Sequence, residues 1–144
     1  MAELLKKNKA SVTGEDEANL DSIKQIEEEL KVKLKKRDHI ISSITRCYTV
    51  NQNGQVTGIG LYDCAIKNLN RIIAPLRALP NLTQLYVRNN QISDFAPLRA
   101  LPNLTQLNVR NNQINDLSPL NALPNLTRLH VSGNQISDLS PLKN

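Results

Sequence analysis

From Leu82 onward the chain repeats itself every 22 residues. Leu82-Thr83-Gln84-Leu85-Tyr86-Val87-Arg88-Asn89-Asn90-Gln91-Ile92 recurs with the same pattern at residues 104–114 and again at 126–136. The second halves recur too, as Ser93-Asp94-Phe95-Ala96-Pro97-Leu98, residues 115–120 and residues 137–142. Leu79-Pro80-Asn81, Leu101-Pro102-Asn103 and Leu123-Pro124-Asn125 join one unit to the next. A unit this short cannot enclose a core of its own, so its apolar face must be buried against its neighbours in a stack. The repetition also explains the composition, 22 Leu and 18 Asn in 144 residues, most of them after residue 50.

Each unit fits L-x-x-L-x-L-x-x-N-x-I, with Val87, Val109 and Val131 at the third Leu position, the signature by which it is identified as a leucine-rich repeat. A looser copy precedes the three. Val56, Ile59, Leu61, Cys64 and Ile66 occupy the same template, with Cys64 at the Asn position. That unit carries four extra residues around positions 67–72 and regains the pattern at Ala74-Pro75-Leu76. The reading is four units, 56–81, 82–103, 104–125 and 126–144, in an α/β chain: a right-handed leucine-rich-repeat solenoid of the β/3₁₀ horseshoe type. Leu85 and Val87 alternate with Gln84, Tyr86 and Arg88, the period of a half-buried strand, so each unit gives one strand to a parallel concave sheet. Cys64, Asn90, Asn112 and Asn134 form a structural column in the turn after the strand, where a side-chain amide satisfies loop backbone. Ser118-Pro119 and Ser140-Pro141 predict an N-cap followed by proline at the first position of short convex 3₁₀ helices.

A stack needs covers at its ends. Leu20, Ile23, Ile26, Leu30 and Leu34 form an amphipathic helical stripe, with Glu27–Lys31 and Glu29–Lys33 as i,i+4 pairs on its exposed side. Residues 44–50 and 55–61 flank Asn51-Gln52-Asn53-Gly54 and predict a β-hairpin. Residues 19–55 thus read as an N-terminal cap of helix plus hairpin, preceded by a flexible lead-in at 1–18. No cover is visible at the other end, where Ile136, Leu139 and Leu142 would face water, which suggests a fragment of a longer array or a homo-oligomer formed through that end. No apolar run approaches the ~20 residues of a membrane span, and MAELLKKNKASVTGEDE has no apolar signal core. With two cysteines and no disulfide framework, the expected compartment is the reducing cytoplasm.

The repeats resemble the 22-residue bacterial class found in internalins and their relatives. Residues 20–30 and Gly54-Gln55-Val56-Thr57-Gly58-Ile59-Gly60-Leu61-Tyr62-Asp63-Cys64, running on through Arg71-Ile72-Ile73-Ala74-Pro75-Leu76, are similar to the start of bacterial Roco proteins. That resemblance implies a regulatory or interaction domain whose relatives carry a Ras-like GTPase further along. The chain itself has no G-x-x-x-x-G-K-[ST] phosphate loop, so no nucleotide chemistry is carried over.

The inventory for catalysis is thin. His39 follows a basic stretch and reads as a polar residue at a helix end, while His130 stands on a predicted strand with no second ligand at metal spacing. Asp94, Asp116 and Asp138 recur at one turn position, which points to structure rather than acid–base work. No enzyme activity, cofactor or metal is expected. The three Asn-Leu-Thr sequons at 81, 103 and 125 are repeat consensus, since each central Leu belongs to the core. The run at residues 31–37 reads as the solvated, basic end of the helix. Function is expected on the concave face, whose outward positions carry Tyr62, Gln84, Tyr86, Arg88, Gln106, Asn108, Arg110, Arg128 and His130. Arg and Tyr are the types enriched at interface hot spots, and a net charge of +5 suits a partner with acidic groups. The expected partner is therefore a protein. An anionic ligand or nucleic acid is the alternative, against which the scarcity of stacking aromatics counts.

Overall fold

The alternation in each unit produces a single sheet. The structure, a computed structural model, describes residues 14–40 and 45–143. Its elements run α1 (Gly14–Leu30), β1 (Lys35–Arg37), β2 (Arg46–Val50), β3 (Val56–Leu61), α2 (Asn70–Arg77), β4 (Gln84–Tyr86), β5 (Gln106–Asn108) and β6 (Arg128–His130), with 3₁₀ helices at Ala96–Ala100, Ser118–Ala122 and Ser140–Leu142. The six strands lie side by side in sequence order. Strands β3 to β6 are parallel, β2 pairs antiparallel with β3, and β1 lies parallel to β2 at the outer edge. Ile59, Leu85, Leu107 and Leu129 share one register row on the inner face. The first three are fully buried. With Leu104 just ahead of β5, and Phe95, Leu98 and Leu120 from the convex side, they fill a continuous apolar core.

The convex elements follow from the residues available. The four extra residues of the first unit let it close with two turns of α-helix, α2, where the 22-residue units manage only 3₁₀ turns. The serines do not cap these 3₁₀ helices. Leu117 and Leu139 hold the cap positions without a side-chain bond. Instead Asp116 Oδ1 accepts from the Ser118 amide at 2.8 Å, and Asp138 does the same for Ser140. Each serine hydroxyl in turn donates to the second carboxylate oxygen. Those bonds hold both carboxyls below the usual carboxylate range, the amide bond contributing most. The expected serine N-caps are thus replaced by aspartate two residues earlier.

The cap departs from expectation in several places. Helix α1 already includes residues 14–18, so these are no lead-in; residues 1–13 and Ile44 lie outside the described residues. The helix stops at Leu30 because Lys31 turns left-handed at φ 55°, and Val32 N–H donates back to the Glu27 carbonyl at 3.1 Å. That is a Schellman ending with lysine where glycine is usual. Leu34 is therefore buried from beyond the helix, and Leu20 is exposed. The predicted i,i+4 pairs give way to tertiary ones. Glu27 accepts from the Leu34 amide at 2.8 Å and from Lys33 at 3.2 Å, and Glu29 pairs with Arg71 of α2 at 2.6 Å. The amide bond to Leu34 is the main reason the Glu27 carboxyl lies below its ordinary range. The basic run does not end a helix; its last three residues form edge strand β1, and His39 lies exposed just after it. Edge strands carrying lysine resist pairing with another chain. The hairpin turn is closed by Asn51, whose Oδ1 accepts from the amides of Asn53 and Gln55, with Gly54 at φ 80°. At the far end Leu139 and Leu142 are exposed large apolar side chains.

Candidate functional site

Three ladders hold the sheet's turns rigid. Asn90 Oδ1 accepts from the amides of Cys64 and Ile66, and its Nδ2 donates to the carbonyls of Leu61 and Val87. Asn112 repeats the arrangement with Ile92, Val87 and Val109, and Asn134 with Ile114, Val109 and Val131. Cys64 has no amide to offer, and burial holds its thiol above the ordinary value. The second ladder is made of hydroxyls. Thr83 donates to the Thr57 carbonyl, Thr105 to Thr83 and Thr127 to Thr105, which gives the sequon threonines a structural use. The third was not foreseen. Asp63, Asn89, Asn111 and Gly133 occupy one template position and all have φ between 50° and 70°. Asn111 Nδ2 donates to Asn89 Oδ1 at 2.9 Å, and Asn89 Nδ2 to the Tyr62 hydroxyl at 3.4 Å. A side chain at Gly133 would place its Cβ 2.1 Å from Asn111 Oδ1, so the Asn111 amide would have to swing away to admit it. The signal in the sequence is the set of Asn-Asn doublets and Ser-Gly-Asn, since Asn, Asp and Gly tolerate left-handed backbone best.

These turns hold the outward rows in line. Gly58, Gln84, Gln106 and Arg128 form one register row, and Gly60, Tyr86, Asn108 and His130 the next. The ladder runs on past the strands, with Val87 N–H to Asn108 O and Asn89 N–H to Arg110 O, aligning Tyr62, Arg88, Arg110 and Ser132 as a third row. None of the outward positions in these rows carries Asp or Glu. Gln84, Tyr86, Arg88, Gln106 and Arg110 are half-buried, while Arg128 and His130 are exposed. The Tyr86 hydroxyl donates to Gln106 Oε1 at 2.9 Å, fixing both side chains. Arg110 Nε is buried with no hydrogen-bond partner among the described residues. Asn108 departs from expectation. It is only 5% exposed and its Oδ1 accepts from the Arg110 amide at 3.1 Å, so it shapes the backbone rather than meeting a partner.

Elsewhere chemistry is sparse. Among the described residues no three His, Cys, Asp or Glu side chains gather as a metal site would need, and Cys47 and Cys64 are buried and unbridged. No helix among them is long and apolar enough to cross a membrane.

Comparison with known proteins identifies the repeats as leucine-rich. The family described as Leucine Rich repeats (2 copies) matches residues 102–144, and that described as Leucine Rich repeat matches residues 78–94. The chain is a leucine-rich-repeat protein. Among solved structures it is similar to internalin C2 of Listeria monocytogenes str. 4b F2365, at 39% identity and a TM-score of 0.53. That match covers 80% of this chain and 48% of the other, so this leucine-rich-repeat chain spans about half its length. It is also similar to internalin inlF of the same organism, at 33% identity, TM-score 0.45 and coverage of 55% and 28%. A Pollen Receptor Kinase 3 shows 18% identity, TM-score 0.47 and coverage of 79% and 72%. No curated protein matches in sequence. The mixed α/β fold, an N-terminal helix leading into a mainly parallel sheet, is that of the internalin repeats.

Proposed function

We propose that this chain is a non-enzymatic protein-interaction module that grips its partner on the concave face. Leucine-rich-repeat domains are generally protein-binding modules. The observation that carries the reading is the third outward row, where Arg88 and Arg110 stand on successive coils beside Tyr62 and Tyr86 with no carboxylate in any row. Arginine forks grip carboxylates bidentately, and the stacked turns supply preorganisation that lowers the entropic cost of binding. Gln84 and Gln106 add hydrogen-bonding groups around the arginines, and Arg128 and His130 extend the face. The buried, unbridged cysteines favour the cytoplasm as working compartment. The Roco-like cap sequence supports a place at the regulatory front of a larger GTPase, which a coding sequence running past Asn144 into a phosphate loop would support.

The test is affinity capture with the intact chain beside its Arg88→Ala, Arg110→Ala double variant, followed by measured affinity for whatever the intact chain retains. The expected loss is at least about 2 kcal/mol, as for a hot-spot pair. Unchanged affinity would sink the concave-face reading. Retention of nucleic acid instead of protein, with affinity falling steeply as salt rises, would replace it with the anionic alternative.

A further inference from the structure

The cap presents cations that the repeat face does not use. In register, Lys35 pairs with Cys47 and Arg37 with Thr49, and these lead through Gly60 and Gly58 to Tyr86 and Gln84. Lys35 and Arg37 therefore stand on the concave side of the sheet, while Lys36, paired with Tyr48, faces the other way. Beside them opens a cleft of about 400 Å³ lined by Lys33, Lys35, Arg37, Thr45, Arg46 and Tyr62. Four of these are cations and none is acidic. Glu27 pairs with Lys33, and Arg46 donates from Nε and Nη2 to the carbonyls of Tyr62 and Asp63. Lys35 and Arg37 are exposed and make no ion pair among the described residues.

Tyr62 makes the two basic regions one surface. Its ring lines the cleft, and its hydroxyl accepts from Asn89, the neighbour of Arg88. The direct route over the sheet is occupied, because Thr49 Oγ1 and Ile40 Cδ1 fill the space above Gly58. The path between the regions therefore runs past Arg46 and Tyr62. Resting on the concave-face reading, we propose that the cap forms a second basic pole of that face. The occupant is an extended acidic protein segment laid across the strands, with one carboxylate group at Lys35 and Arg37 and another at Arg88 and Arg110. Three strand spacings separate β1 from β4, about 14 Å, which an extended segment covers in roughly four residues. Two discrete poles joined by a stretch whose one cation is already committed match spaced carboxylates better than a polymer charged at every nucleotide.

The probes are fluorescein-labelled peptides on the full chain: one with two Glu-Glu pairs about four neutral residues apart, one with a single pair, and an RNA oligonucleotide of equal charge. Replacing Lys35 and Arg37 by Glu should weaken the two-pair peptide about tenfold, down to the single-pair affinity, while Lys36→Glu on the opposite face changes it less than about twofold. A neutral Lys35→Gln, Arg37→Gln variant should lose affinity in the same direction, and circular dichroism reports that each variant is folded. Full affinity in the cap variant with loss in Arg88→Glu, Arg110→Glu overturns the second pole and leaves the concave reading standing. Loss in neither variant, or no peptide binding, overturns both. An equal effect of Lys36→Glu, or tighter binding of the RNA, overturns the proposed occupant.

Discussion

Asn112 belongs to one coil by position and serves another by its bonds. Its Oδ1 takes the Ile92 amide and its Nδ2 reaches Val87 O, both in the preceding coil, while a further bond goes to Val109 of its own. It is buried, so Asn112→Ala leaves backbone groups unpaired away from water, a penalty of about 1–3 kcal/mol for each such group. The expected loss is about 3 kcal/mol. Asn134 makes the same bonds in a wetter place, and its alanine variant should lose about 1 kcal/mol. Urea denaturation measures both; equal losses would refute the ladder's dependence on burial. The Asn column was legible because one polar residue kept its place inside an apolar pattern. The burial of Asn108 was not, since it depends on Tyr86 and His130 flanking it across strands rather than on its own neighbours in sequence.

At the scale of the element, Asp116 and Asp138 bind the first turn of the last two 3₁₀ helices. Their carboxyls lie lower in the folded chain than when free, so folding favours the charged form. The stabilisation is full above the ordinary carboxylate range and drains away below about pH 4, as the carboxyls protonate through their lowered folded values. The Asp116→Ala, Asp138→Ala variant should be less stable at neutral pH and converge on the parent in acid. Urea midpoints followed from about pH 6 to about pH 3 check this; parallel curves would refute it. Strands β3 to β6 were legible because each alternates over a leucine or isoleucine that faces the core, buried in β3 to β5 and half-buried at Leu129. Strand β1 was not. Lys35, Lys36 and Arg37 carry no apolar alternation, and only pairing with β2 makes them a strand. The end of α1 was hidden for a related reason, because Lys31 gives no glycine signal and the turn is closed by Glu27 reaching Leu34.

Over the whole molecule, the two ends of the sheet differ. The cap end is sealed by α1 and by a charged edge strand, while the other leaves Leu139 and Leu142 exposed. Between them the bonds linking adjacent coils are near copies. Gln113 donates to Ile92 O and Gln135 to Ile114 O, each at 2.8 Å, and Thr105 and Thr127 repeat their ladder contact one coil apart. Removing residues 104–125 joins Asn103 to Leu126 as it was joined to Leu104, so the buried asparagine column and the threonine ladder each meet an equivalent partner, while Asn89 faces Gly133 and loses its amide bond. The shortened chain should fold cooperatively with lower stability, one nearest-neighbour interface being lost. Circular dichroism with urea titration decides it, and an unfolded product would refute it. Removing 82–103 is a harsher change, because the coil before it closes with α2 instead of a 3₁₀ turn.

The left-handed column has a consequence for heredity. Asn89 and Asn111 are spaced to touch, and the Asn111 amide lies in the space that a side chain at Gly133 would take. A copied coil therefore inherits its fit from the coil that follows it. A duplication that places an asparagine-bearing coil after another brings amide against amide, whereas a side chain put in at position 133 alone obliges the Asn111 amide to move. Length in such a protein can change by whole units with less readjustment than a single side chain added at position 133 requires.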